Sequence, residues 1–312
     1  MAILTTFLAL AAAAVPPGRA PTCRGLRDLR SIEQGPADQV YHAFQNGGAT
    51  PLRLWLIDAQ GKRVALDTIA PGGFKSISTH VGHAFVLTDD DDHCRAAMRI
   101  DEVASGTFVG TSRYRPVAVP GWHVFVDRDL DPQKDPARSA LAIVARMLRE
   151  VEAAVPASAL PRMRRTPIFL LDHSGPGGMF HSSPDWLTAN GRTVELTRAI
   201  EISDTGVFLD TSRVQPAAML HELAHAVYWA MPDAQRADIE ATYARVMRSS
   251  LYRQVKRHDG STSRAYASVN AAEYFAETSE AWFSHNDFAP FDRAELTAYD
   301  PEGAALMARM WK

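Results

Sequence analysis

The sequence predicts a multidomain α+β chain: an N-terminal all-β sandwich, then a mainly helical domain with a small sheet. Two observations predict this order. Short apolar or alternating runs punctuated by turn residues occupy residues from about 31 to 115, with no long helical period. From Pro216 onward the pattern is mainly helical. The length of 312 residues leaves room for both units. Hydrophobic residues make up 46% and charged residues 22%, which excludes a wholly disordered, collagen-like or coiled-coil chain. A formal net charge of -3 offers no overall electrostatic reason to bind nucleic acid or an anionic membrane. Two cysteines exclude a disulfide-dense scaffold and a four-cysteine zinc site.

Residues 1–20 contain an apolar run, Ala2 to Val15, too short to span a bilayer as a helix. It has the length of a signal-peptide core, and Gly18-Arg19-Ala20 offers small residues for cleavage, although no Lys or Arg precedes the run. The expectation is a signal peptide over 1–20 and a secreted or periplasmic protein. In an exported chain Cys23 and Cys94 most simply pair with each other.

The sandwich is expected over 21–115. Val40 to Phe44, Leu52 to Ile57 and Ala84 to Leu87 read as strands, separated by Asn46-Gly47-Gly48, Asp58 to Gly61 and Pro71-Gly72-Gly73. The acidic run Asp89 to Asp92 reads as a solvated loop. The second domain is expected over 116–312. Trp122 to Val126 reads as a strand. Asp135-Pro136 opens a helix, with Asp135 as its N-cap and Leu141, Val144, Leu148 and Val151 on its buried face. Ile168 to Leu171, Val194 to Leu196 and Ile200 to Ile202 read as further strands, and Ser174 to Gly178 as a flexible loop.

The decisive stretch is Met219 to Tyr228, which holds His-Glu-x-x-His. Pro216 suits a helix start and Pro232 its end. Residues four apart share a helix face, so His221 and His225 can present two imidazoles to one metal. Glu222 then sits where its carboxylate could reach a metal-activated water. Leu220, Leu223, Ala224, Val227 and Tyr228 form a separate packing stripe. Catalytic zinc usually takes three protein ligands and leaves one position open. Val227 to Asp233 lacks the Gly and third His of the metzincin pattern. Asn270 to Glu277 supplies carboxylates instead, with Glu273 and Glu277 four apart on one face. One can bind the metal and the other can hydrogen-bond a ligating imidazole. The competing reading is a helix capping box of Asn270 and Glu273, with Glu277 facing solvent.

Tyr266, together with Ala272-Glu273-Tyr274-Phe275-Ala276-Glu277, resembles the catalytic domain of the anthrax lethal-factor-like zinc peptidases, a gluzincin family with a zincin-like fold. The resemblance covers roughly residues 210–285. It implies zinc on His221, His225 and Glu273, Glu222 as general base and Tyr266 as oxyanion stabiliser. It also implies Glu277 as the carboxylate behind the ligands. Gly178 to His181 and Asp185 to Leu187 resemble, more weakly, an active-site rim, where His181 either contacts substrate or is structural. A strand near Ala199 to Ile202 is expected to pair with extended substrate.

The N-terminal segment from Pro51 through Ile69-Ala70-Pro71-Gly72-Gly73 to Phe85 resembles the β-domain of the von Hippel–Lindau tumour suppressor. That resemblance implies peptide binding at Trp55 and His83. Thr79, Phe85 and Leu66 replace other residues of that family's pocket, and the favoured reading of Trp55 and Phe85 is as core residues of the sandwich. The sequence therefore predicts a zinc-dependent endopeptidase acting on a protein or peptide, with no membrane span. Its rivals are an inactive zinc-containing peptide-binding protein that works through the β-domain, and a metal-dependent hydrolase of non-peptide bonds.

Overall fold

The computed structural model describes residues 23, 25–32, 39–100, 104–175 and 177–312. The expected leader, 1–20, lies outside the described residues. The chain is mixed α+β, with a sheet-rich region followed by helices. Among the described residues, no helix is long and apolar enough to cross a membrane.

The first region contains β1 (Gln39–Gly47), β2 (Leu52–Ile57), β3 (Arg63–Ile69), β4 (Phe74–His80), β5 (Ala84–Thr88), β6 (Cys94–Arg99) and β7 (Ala104–Gly110). They form two sheets, ordered β4-β1-β7 and β3-β2-β5-β6. Strand side chains alternate between faces. Val40 and Phe44 of β1 therefore meet Leu52, Leu54, Phe85 and Leu87 of the facing sheet in one apolar core. The Phe44 and Phe85 rings lie 5.3 Å apart across it. Gly61 and Gly72 sit at the turns with φ of 85° and 73°, a conformation that glycine adopts without a Cβ penalty. Asp89 accepts the backbone N–H of His93, closing the acidic turn at the surface. Cys23 and Cys94 form a disulfide. It fixes the segment carrying Leu26 and Leu29 against the outer face of the four-stranded sheet.

The second region opens on β8 (Tyr114–Val119) and β9 (Trp122–Asp127), an antiparallel pair. Tyr114 pairs with Asp127 and Arg115 with Val126, so the change of sheet falls between Gly110 and Tyr114, just before the division expected at 116. Then follow α1 (Ala137–Ala154), α2 (Leu160–Met163), β10 (Ile168–Leu170), β11 (Met179–Phe180), α3 (Pro184–Ala189), β12 (Ile200–Ile202) and α4 (Thr205–Thr211). The sheet order is β11-β12-β10-β9-β8. Strands β9, β10 and β12 run parallel, and β8 and β11 close the edges antiparallel. The remaining elements are α5 (Ala218–Trp229), α6 (Asp233–Arg248), the hairpin β13 (Val255–Lys256) and β14 (Thr262–Ser263), α7 (Ala271–Phe283), α8 (Arg293–Tyr299) and α9 (Pro301–Met310). The apolar faces of α1, α5 and α7 share one core with Ile200 and Ile202 of the sheet.

Two local expectations are corrected. Val194–Leu196 is a single 3-10 turn, not a strand. The Thr193 hydroxyl accepts the Glu195 N–H and caps that turn, and a three-residue apolar run carries no period with which to oppose it. Asp135 is not the N-cap of α1; the cap position is Pro136, with no side-chain bond. The Asp135 carboxylate instead accepts the Arg138 guanidinium at 2.7 Å and the Ser139 hydroxyl at 2.6 Å.

The two regions pack directly. Gln45 Oε1 accepts the Thr193 hydroxyl at 3.1 Å and the Val194 N–H at 3.0 Å. Ala43, Phe108 and Val194 form a small apolar cluster, and the Ser76 hydroxyl donates to Asp185 of α3. Gly106 lies so close that a Cβ there would be 2.8 Å from the Val194 Cβ and carbonyl oxygen.

Candidate metal centre

Helix α5 is placed by its packing stripe: Leu220, Leu223, Ala224, Val227 and Tyr228 are all buried. This leaves His221 and His225, one turn apart, on the adjacent face toward α7. Asn270 starts α7 by accepting the N–H groups of Ala272 and Glu273, both at 2.9 Å. The Glu273 side chain does not turn back to complete a capping box. It reaches the histidines: Oε2 lies 3.1 Å from both His221 Nε2 and His225 Nε2. The two Nε2 atoms are also 3.1 Å apart. These three donors converge and could hold a metal ion. Burial works against the Glu273 carboxylate, but its bonds to His221 and His225 outweigh it and bring its pKa down to about 2.

The carboxylate hydrogen-bonded to His221 Nδ1 is Glu280, not the expected Glu277. His221 Nδ1 donates to Glu280 Oε1 at 2.6 Å. Glu277 Oε1 is 3.6 Å from the same nitrogen, and its Oε2 accepts the Asn286 amide at 3.2 Å. The reason is helical phase. At about 100° per residue, seven positions on from Glu273 returns to within about 20° of its direction, whereas four positions on misses by about 40°. Burial raises both carboxyls, Glu277 well above the usual carboxylate range with Glu280 adding to the effect. Both remain close enough to His221 to count among groups that could hold a metal.

Glu222 faces the same cleft, and its Oε2 accepts the Phe180 N–H of β11 at 2.7 Å. Tyr266 stands at the cleft rim in a 3-10 turn, its ring 6.2 Å from that of His221 and 45% exposed. Partial burial and then the charge of Glu273 raise its hydroxyl pKa. The cleft has a volume of about 960 Å³, and its lining reaches from Trp229 and Tyr243 to Arg257 and Phe288. The predicted residues His221, Glu222, His225, Tyr266 and Glu273 are thus gathered around one cavity.

Other predicted residues are not. His181 is buried and gives its ring nitrogen to Glu201 at 2.7 Å, so it is a structural residue and not a cleft residue. The segment Ala199 to Ile202 cannot offer a free edge, because β12 is flanked by β10 and β11; the edge beside the cleft is β11. Trp55 lies on the outer face of its sheet, donating to Thr88 Oγ1 at 3.0 Å under the Arg63 guanidinium. His83 sits in the β4–β5 turn, with Nδ1 2.9 Å from Thr79 Oγ1 of the other sheet. No described hydrogen bond or ring contact joins Trp55 to His83. Phe85 is core and Leu66 is exposed. A second acidic group, Asp89, Asp91 and His93, is a surface turn.

Sequence reasoning missed Glu280, Glu201 and the Phe180 N–H. Helical phase pointed to Glu280, whereas the other two carried no sequence signal. No family model matches the chain, and no curated protein matches it.

Proposed function

We propose that the protein is an exported zinc-dependent endopeptidase whose second region is zincin-like. The observation that carries this reading is the triangle of donor atoms, 3.1 Å on each side, with Glu222 opening onto the same cleft. Tetrahedral zinc with bonds of about 2.0–2.1 Å separates its ligand atoms by about 3.3 Å, so this donor set fits with little movement. Two imidazole nitrogens and one carboxylate oxygen, with a fourth side open, match a catalytic and not a structural zinc site. The residues that would hold the ion are His221, His225 and Glu273.

Zinc bound there supplies Lewis acidity, polarising the scissile carbonyl and acidifying water. The chain supplies the rest. Glu222 takes the proton of the attacking water and passes it to the departing amine. Its second oxygen accepts the Phe180 N–H, which orients the carboxylate. The Tyr266 hydroxyl stabilises charge developing on the carbonyl oxygen. Glu280 fixes the His221 tautomer, leaving Nε2 free to ligate. Extended substrate pairs along the β11 edge beside Phe180, whose own N–H stays with Glu222. The Cys23–Cys94 disulfide supports passage through an oxidising compartment.

The test is zinc content and cleavage of a denatured protein mixture, for wild type and Glu222→Ala. Zinc in both and cleavage only by wild type is the expected result. Zinc in both with cleavage by neither would favour a peptide-binding protein, and no zinc in wild type would remove the site.

A further inference from the structure

Glu201 is fully buried, yet it is a carboxylate on the central part of a sheet. Its neighbours Ile200 and Ile202 face the core shared with α5, so Glu201 points to the opposite side of the sheet. It lies 2.7 Å from His181 Nε2, accepts the Ser203 hydroxyl at 2.7 Å, and has Arg192 at 3.3 Å and His173 at 3.4 Å. Burial opposes its charge, but the bonds from His181 and Ser203 and the charge of Arg192 keep its pKa below the usual range. A buried ionic cluster of this kind is commonly no more stable than a well-packed apolar replacement, so stability alone gives little reason to keep it.

The partners share a location. His173 follows β10, His181 follows β11, and Arg192 follows α3; of these segments, the one carrying β11 lines the cleft through Met179 and Phe180. The most delicate of them is β11, two residues long and led in by a glycine-rich loop. That loop lies against the strand end, since a Cβ on Gly175 would be 2.5 Å from the Ser203 Cβ. Along β11 the groups alternate. The backbone of His181 bonds inward, its N–H to Ala199 and its carbonyl to the N–H of Arg198. The Phe180 N–H bonds outward to Glu222 at 2.7 Å. The two residues are adjacent, so displacing His181 displaces the donor that holds Glu222.

We propose that Glu201 is a positioning residue that sets the Glu222 carboxylate through His181 and the backbone of β11, from the face of the sheet away from the cleft. The proposal rests on the peptidase reading for its kinetic consequence, but its structural link does not. Glu201→Gln keeps the side-chain volume and removes the charge that fixes His181. It is expected to keep wild-type zinc content and a KM within about threefold, while kcat per bound zinc falls by about 10- to 100-fold, the scale of an ångström-level misplacement. Amide exchange of residues 177–182 is expected to quicken. His181→Gln, which retains an N–H donor, should keep more of the kcat than His181→Ala, and this pair decides the matter if Glu201→Gln does not fold. Unchanged kcat per zinc in Glu201→Gln, or unchanged exchange at β11, overturns the proposal. An inactive wild type would sink the peptidase reading separately, and the link would then stand or fall on the exchange measurement.

Discussion

His221 donates its Nδ1 proton to Glu280 at 2.6 Å, while Glu277, four residues beyond Glu273, stands a full ångström further from the same nitrogen. The bond selects the tautomer whose Nε2 lone pair would meet a metal held there. Glu280→Gln is therefore expected to weaken zinc binding by about 10- to 100-fold. Glu277→Gln should change it by about threefold or less on the same scale. Competition with a chelator of known affinity reads both, and the reverse ranking would return the role to Glu277.

Glu222→Gln should keep the bond from Phe180 through its amide oxygen and keep the metal ligands in place. What it loses is proton transfer, which is worth about 10²- to 10⁴-fold in rate. Steady-state kinetics on a quenched peptide, with zinc measured in parallel, separates this outcome from simple loss of metal. Residual activity equal to wild type would rule out Glu222 as the base.

Tyr266 is 45% exposed and packs little of the core, so its removal should leave stability untouched. Tyr266→Phe deletes only the hydroxyl. Loss of one donor to a developing oxyanion typically costs about 10²- to 10³-fold in kcat. KM is expected to stay within about threefold, because the interaction forms in the transition state. A rise in KM at constant kcat would make Tyr266 a substrate-binding residue instead.

His42 gives the sheet-rich region a pH dependence of its own. The ring is buried between the sheets, 2.6 Å from Ser105 Oγ and 2.9 Å from Thr107 Oγ1, and burial pulls its pKa from 6.5 down to about 4. The unfolded chain takes up the proton first as pH falls. The neutral ring's contribution is thus fully present above pH 6.5 and is lost as pH drops toward 4, by about 3 kcal/mol in all. Urea unfolding at pH 7 and pH 4.5 should show this loss in wild type, and a smaller one in His42→Gln. Equal losses in both would place the titrating group elsewhere.

Some of the site was readable from local spacing. His221 and His225 need only one helical turn to meet, and the Asn270 cap sets the first turn from which Glu273 projects. Choosing between Glu277 and Glu280 turns on the phase of α7, which its spacing does record: seven positions on from Glu273 returns closer to its direction than four, a finer distinction than sharing one helix face. Ile200-Glu201-Ile202 has the alternation of a half-exposed strand. Glu201 is buried because α3 and the 193–197 turn cover that face, a tertiary fact. Strand β11 has too few residues to show any period, so the sequence points to its longer-patterned neighbour β12 as the edge. The sandwich strands were legible because their turns are punctuated by glycine, whereas the separation of Trp55 from His83 depends on which sheet each loop joins.

The seam at Gly106 and Gln45 bears on how this chain can be taken apart or recombined. The turn at 193–197 hangs from Gln45 on one side and leads into the strand bearing Glu201 on the other. A second region severed at residue 111 would lose the Gln45 oxygen that accepts from Thr193 and Val194, and would bare Val194 to water. A chimera spliced there would have to match three sites together: an amide at 45, a residue without a side chain at 106, and a hydroxyl at 193. Exchange of either region alone would break this seam unless the residues at 45, 106 and 193 were exchanged to suit.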